Sequence, residues 1–234
     1  MQERSNESLL HKLFPIDFSI SSIRSAAVFL LIFIVLLFFL SYIAAVFYVL
    51  GIVHNEVAVG NAATEFTFLL SILLYMFAYK GMSAKDVVSA LGIGRSRLTK
   101  MAFVIGIALF LVLFSFSIII SLIGYVTNTT VSTNTQLVLA NEPLWFYVFT
   151  FTLVPVFEEL LFRAFLVPRL GILLSAVIFA LGHASYNSTF GIEIMGALLF
   201  GLLAGWIFRK TKSLYPSMIA HMLVNALAVA AYII

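Results

Sequence analysis

The chain reads as an all-α, polytopic integral membrane bundle of about seven transmembrane helices, and three features of the sequence say so. Of its 234 residues, 63% are hydrophobic and 10% charged, against roughly 25% charged in a soluble domain. The mean hydropathy is +1.14, and apolar runs near the ~20 residues that cross a bilayer as a helix recur along the whole length. All 13 Lys and Arg residues fall at or beside alternate connections between those runs.

Taken in order, spans are predicted at about 26–51, 63–80, 101–126, 144–167, 171–187, 191–208 and 214–234; dividing the long first run would make eight. That first run far exceeds the roughly 7–15 apolar residues of a signal peptide and lacks a clear small-residue cleavage site, so it is expected to stay as an anchor. Residues 1–25 form the segment before it and carry Arg4, Lys12 and Arg24. The Lys80–Lys100 connector is expected to lie as an amphipathic piece near anionic headgroups. Its Gly92-Ile93-Gly94 is no nucleotide fingerprint, because no strand precedes it and the third glycine is missing. Arg163 and Arg169 fall at the end of span four and just after it, and Arg209, Lys210 and Lys212 lie between spans six and seven. The alternate loops, 52–62, 127–143 and 188–190, hold no basic residue, and neither does the C-terminus. The positive-inside rule then puts the N-terminus in the cytoplasm and the C-terminus outside, in a multi-pass protein of the cell membrane.

Composition also excludes. With no cysteine, disulfides, thiolate nucleophiles and Cys-based zinc sites are ruled out. The basic residues are accounted for by topology, so no nucleic-acid partner is expected; membrane lipid is. The sequons at Asn128-Thr129-Thr130 and Asn187-Ser188-Thr189 carry little weight without a secretory route. One membrane domain is expected, with N-terminal helices over 26–142 and a core that carries the chemistry over 143–234.

The chemistry rests on polar residues in the spans, each of which costs roughly 2.5–3.5 kcal/mol or more at membrane depth. Span four contains Glu158-Glu159-Leu160-Leu161-Phe162-Arg163. Glu159 and Arg163 are four apart with the acid first, the favoured order for an ion pair on one helix face. Glu158 points about 100° away and is left as an unpaired carboxylate suited to general-base work. An ion-pair network that fixes packing is the structural reading of the same residues. In span five, Phe179 and His183 share a face, and Gly182 is expected to allow close helix approach; a histidine bonded across helices is the structural reading. In span seven, His221 and Asn225 share a face and can donate toward one point, as an oxyanion hole requires, or can serve as interhelical glue. Glu65 and Glu193 are placed near the outer ends of their spans and read as structural. Counted at 1.5 Å per residue, Glu158 and His221 coincide in the cytoplasmic half of the membrane, while His183 lies deeper.

The ordered trio Glu-Glu-x-x-x-Arg, Phe-x-x-x-His and His-x-x-x-Asn resembles the signature of the CAAX prenyl protease and bacteriocin-processing (Abi-type) family of intramembrane glutamate endopeptidases. It covers roughly 143–234. The resemblance implies a peptide hydrolase in which Glu158 activates water, His183 helps to position it, and His221 and Asn225 stabilise the oxyanion. Glu159 and Arg163 would hold the helix and tune Glu158, and Phe179 would support the site without reacting. It implies no cofactor and a peptide precursor or membrane-associated protein as substrate. A zinc held by Glu158, His183 and His221 is the chemical alternative. A non-catalytic membrane regulator or immunity protein, binding a sensor kinase or a bacteriocin-like peptide, is the functional one. A proton-coupled transporter ranks below both, since no inverted repeat is apparent.

Overall fold

The computed structural model describes residues 19–128, 139, 142–184 and 192–233. The predicted 188–190 loop, the second sequon, most of the 127–143 loop and the segment up to residue 18 lie outside the described residues. The protein is an all-α polytopic helical membrane protein. Among the described residues, six helices are long and apolar enough to cross a membrane by length and composition.

Helix α1, Ile20–Val49, starts at an N-cap where Ser19 accepts a hydrogen bond from the Ser22 amide. Helix α2, Glu56–Leu74, is capped by Asn55, whose side chain accepts from the Ala58 amide at 2.9 Å, and runs on as a π turn over Tyr75–Tyr79. The cap starts α2 seven residues before the predicted span. The connector after it contains a short helix α3, Ala84–Ala90, with Ser83 as its cap, and a 3₁₀ turn at Arg95–Arg97. Helix α4, Lys100–Val126, is capped by Thr99. Helix α5, Leu144–Glu159, continues through a π turn at Leu160–Leu166 into α6, Val167–Gly182. Helices α7, Ile192–Thr211, and α8, Tyr215–Ile233, complete the bundle. Each polar cap satisfies one of the amides that a helix N-terminus leaves without an intrahelical partner.

The run Leu144–Gly182 is 39 residues long, about 58 Å if straight and far more than a ~30 Å hydrocarbon core. It is not straight. Gly171 has φ 80° and ψ 171°, a conformation that a residue with a Cβ rarely adopts, and the chain folds back there. The Ser175 hydroxyl donates to the Phe162 carbonyl at 2.6 Å, and the Phe162 ring meets Phe179 edge-on at 5.0 Å. A straight helix would hold those rings about 25 Å apart. The two arms therefore pack side by side.

The bundle packs α1 on α2, α6 on α7, and α8 on both α4 and α5. Two glycines set the closest approaches. A Cβ on Gly106 of α4 would lie 2.9 Å from the Ile219 side chain and the Pro216 carbonyl, and one on Gly201 of α7 would lie 2.8 Å from Ala176 Cβ and 2.9 Å from its Cα. Gly182, expected to permit such an approach, has no neighbour within 4 Å of that position among the described residues and borders a cavity. Large apolar side chains remain exposed along α1 and α4, among them Leu31, Phe38, Val104 and Leu122, as a lipid-facing surface requires.

One end of the bundle gathers the basic connectors. The Leu214 amide donates to the Gly92 carbonyl at 3.1 Å, and the Tyr215 hydroxyl to the Ile93 carbonyl at 2.7 Å. Arg97 Nη1 reaches the Thr211 carbonyl at 3.2 Å, and the Ser213 hydroxyl donates to the Arg97 carbonyl at 3.1 Å. Arg169 lies over the Tyr75 and Phe165 rings, and Ser25 bonds to the Tyr75 hydroxyl, so both belong to the same end. Arg163 does not: it is 0% exposed in the protein interior, not at a span end as the sequence count placed it.

The glycine contacts make a testable contrast. Gly201→Val is expected to lower unfolding stability by about 1–3 kcal/mol through overpacking against Ala176, while Gly182→Ala leaves it unchanged, both measured by thermal or denaturant unfolding in detergent micelles.

Candidate active site

Pro155 lies inside α5, three residues before Glu158. It has no amide hydrogen, so it frees a carbonyl of the preceding turn and loosens the ladder there. The π turn Leu160–Leu166 follows immediately; such widened turns redirect side chains and are found disproportionately at functional sites. Between these two irregularities sit the adjacent glutamates.

Glu159 is fully buried, and Arg163 Nε lies 3.2 Å from its Oε2. The i,i+4 pair read from the sequence is therefore formed. The contact is an ion pair: none of the three guanidinium nitrogens makes a hydrogen bond among the described residues. Aromatic faces take that place: the guanidinium carbon is 4.1 Å from the Phe179 ring centroid and 4.8 Å from that of Phe200. A desolvated guanidinium over an aromatic face gains about 2 kcal/mol or more.

His221, 4% exposed, links the two glutamates. Its Nδ1 is 3.2 Å from Glu159 Oε1, and its Nε2 is 3.4 Å from Glu158 Oε2. The first is a hydrogen bond; the second is longer than a usual N–H···O bond but within ion-pair reach. The sequence reading gave Glu159 to Arg163 alone and paired His221 with Asn225. In the structure His221 faces both carboxylates, and one Asn225 Nδ2–H is donated to the Thr150 carbonyl at 2.9 Å. An amide has two such hydrogens, so Asn225 keeps one for another acceptor.

His183 Nδ1 is 2.9 Å from the Phe179 carbonyl. A carbonyl only accepts, so Nδ1 carries the proton, and in the neutral ring Nε2 is left with a lone pair. The imidazole packs against the Phe179 ring at 4.4 Å with the planes tilted by 47°, the same-face contact expected from the four-residue spacing. Phe179 also meets His221 edge-on at 6.0 Å, so one buried ring touches both histidines and the arginine.

Glu158, Phe179, His183, His221 and Asn225 all line one cavity of about 500 Å³. The expected depth mismatch of His183 disappears because the helix bearing Glu158 runs on to the turn near Gly171. Measured from that turn, Glu158 and His183 each lie about 18 Å along antiparallel arms. Among the described residues no three His, Asp or Glu side chains converge closely enough to hold a metal ion, so Glu158, His183 and His221 do not form a ligand set.

The cavity is wider than the sequence reading foresaw. Asn61 and Glu65 of α2, Ser117 of α4 and Glu193 in the first turn of α7 also line it. Glu65 was assigned to the outer end of its span. With α2 starting at Glu56, it sits about 13 Å along the helix and is 8% exposed. The start signal was in the sequence: Asn55 as cap, Glu56 in the first turn, and Asn61 four residues before Glu65 on one face. Just before α5, burial pushes the Glu142 carboxyl above the usual carboxylate range.

The buried charges predict a non-additive stability pattern. Glu159→Gln leaves the Arg163 charge uncompensated and is expected to cost about 3–5 kcal/mol, whereas Glu159→Gln combined with Arg163→Met costs less than Glu159→Gln alone. Denaturant unfolding of the purified single and double variants checks this.

Neither a curated protein nor a solved structure matches the chain. A family match does exist, to the family described as type II CAAX prenyl endopeptidase Rce1-like, over residues 140–227. That range holds Glu158, Glu159, Arg163, Phe179, His183, His221 and Asn225, and leaves out Asn61, Glu65 and Ser117. Residues 140–227 of this membrane protein are therefore a domain of the Rce1-like type II CAAX prenyl endopeptidase family.

Proposed function

We propose that the protein is an intramembrane endopeptidase that hydrolyses a peptide bond with water activated by Glu158. The observation that carries this reading is the division of labour between the adjacent glutamates: Glu159 is sealed in the interior against Arg163, while Glu158 reaches the cavity beside His221. Family membership of residues 140–227 supports the same class of reaction.

In the proposed step Glu158 takes a proton from water as the water oxygen attacks the peptide carbonyl carbon. The His183 Nε2 lone pair accepts the second water hydrogen and orients the attack. Charge developing on the carbonyl oxygen is met by the remaining Asn225 N–H, a fixed donor in a poorly hydrated site. When the tetrahedral intermediate collapses, the C–N bond breaks and the proton held by Glu158 passes to the leaving amine. His221 couples Glu158 to the buried Glu159–Arg163 pair, so that the charge change on Glu158 is felt by a partner held in place. The substrate is a peptide precursor or a membrane-associated protein. The chain crosses the membrane seven times, with the fold-back at Gly171 making two passes of one helical run, the N-terminus cytoplasmic and the C-terminus outside.

Glu158→Gln is expected to lower peptide hydrolysis about 10²–10⁴-fold and Asn225→Ala about 10²–10³-fold, with unchanged expression and unfolding temperature. His183→Ala is expected to fall in the same range as Glu158→Gln. The measurement is mass-spectrometric scoring of peptide cleavage by the purified protein in lipid nanodiscs. Normal cleavage by both Glu158→Gln and His183→Ala sinks the assignment. A non-catalytic regulator would keep its cellular phenotype in the same variants.

A further inference from the structure

The cavity is acidic beyond what hydrolysis uses. Glu65, Glu158 and Glu193 line it, and no lysine or arginine does among the described residues. The nearest buried cation, Arg163, is already held by Glu159. Glu65 has no role in the proposed chemistry, although it lies within electrostatic reach of Glu158: it comes from α2, outside the family-matched range, and it is 8% exposed. Its Oε2 is buried with no hydrogen-bond partner among the described residues. A buried carboxylate oxygen without a donor is costly and is ordinarily matched by a cation or a donor when the site is filled. None of the described residues supplies either, and Glu65 lines the cavity.

We infer that Glu65 is a specificity-determining residue that pairs with a cationic group of the substrate, a lysine or arginine side chain or a free N-terminal amine, close to the cleaved bond. The inference rests on the endopeptidase reading and names the class of peptide it acts on. The groups are disposed for it. Asn61 lies one turn from Glu65 on the same face and can accept a further N–H from a guanidinium or ammonium. The apolar lining from Leu113, Phe146 and Val154 suits the aliphatic stem of such a side chain and keeps water from weakening the ion pair. A carboxylate-bearing peptide would meet like charge here and be rejected.

The test uses the full-length protein in lipid nanodiscs and dansylated octapeptides of Ala and Leu that differ at one scanned position: Lys, norleucine or Glu. Binding is read by fluorescence and cleavage of the same peptides by mass spectrometry. At one or two positions the Lys peptide is expected to bind about tenfold or more tighter than the norleucine peptide, with the Glu peptide weakest. The near-isosteric Glu65→Gln variant should close the gap between Lys and norleucine, while Glu158→Gln keeps it. Equal binding of the three peptides by the unaltered protein overturns the inference without any variant being needed. An equal loss on Lys and norleucine peptides in Glu65→Gln also overturns it, making Glu65 a partner of the reaction rather than of the substrate. Cleavage without charge preference leaves the endopeptidase reading standing and removes this one. Charge preference without cleavage overturns the endopeptidase reading and leaves Glu65 as the cation-binding residue of a peptide-binding cavity, with no role in choosing a cleaved bond.

Discussion

A guanidinium with no access to water governs this structure. Arg163 is wholly enclosed among helices, and the free energy of stripping water from it has to be recovered inside the bundle. Glu159 supplies one opposite charge along the same helix, and Phe179 and Phe200 supply π faces from two others. His221 then joins the carboxylate to Glu158. Helices α5, α6, α7 and α8 are thereby committed to one polar cluster in an otherwise apolar interior. In a bilayer, where lipid tails are as apolar as leucine, such a cluster gives helices a reason to associate that hydrophobicity alone cannot. Glu158 is at the wet edge of this cluster, so its surroundings are fixed by groups that cannot rearrange without exposing a charge to hydrocarbon.

The backbone irregularities belong to the same logic. Pro155 and the π turn bracket the glutamates, and Gly171 turns the chain so that α6 returns along the π turn Leu160–Leu166. The reversal brings Phe179 over Arg163 and His183 into the cavity with Glu158. Close packing at Gly201 draws α7 against α6 and sets the Phe200 ring next to that of Phe179, 5.8 Å away, so that both face the guanidinium. A few residues with unusual backbone requirements thus position side chains that are far apart in the chain.

Much of this was legible in the sequence because it is local. The ion pair of Glu159 with Arg163 and the contact of Phe179 with His183 follow from four-residue spacing on a helix, and both are present. Long apolar runs gave the helices of the bundle. What could not be read was set by contacts between helices. The bridging position of His221 depends on how α8 lies against α5, and the use of Asn225 on the Thr150 carbonyl depends on the same packing. The small-residue logic was right in kind but attached to the wrong glycine, since nothing in a single sequence says which face of a helix meets a neighbour. Glu65 was misjudged for a different reason: hydropathy began its helix seven residues late, although the cap at Asn55 marked the start. Arg163 was counted with the loop charges because composition alone does not separate a cation at a span's end from one folded inward.

The end of the bundle that carries the basic connectors is laced shut by the bonds from Gly92, Ile93 and Arg97 to the turn at 211–215. Leu161, Phe162, Ala164 and Phe165 are each 6% exposed or less. Among the described residues, none from the laced end lines the cavity holding Glu158, so the cavity does not run through to that end. A helix spanning the bilayer cannot be threaded through it from face to face. It can be reached by a chain terminus, or by a segment unwound into a bend.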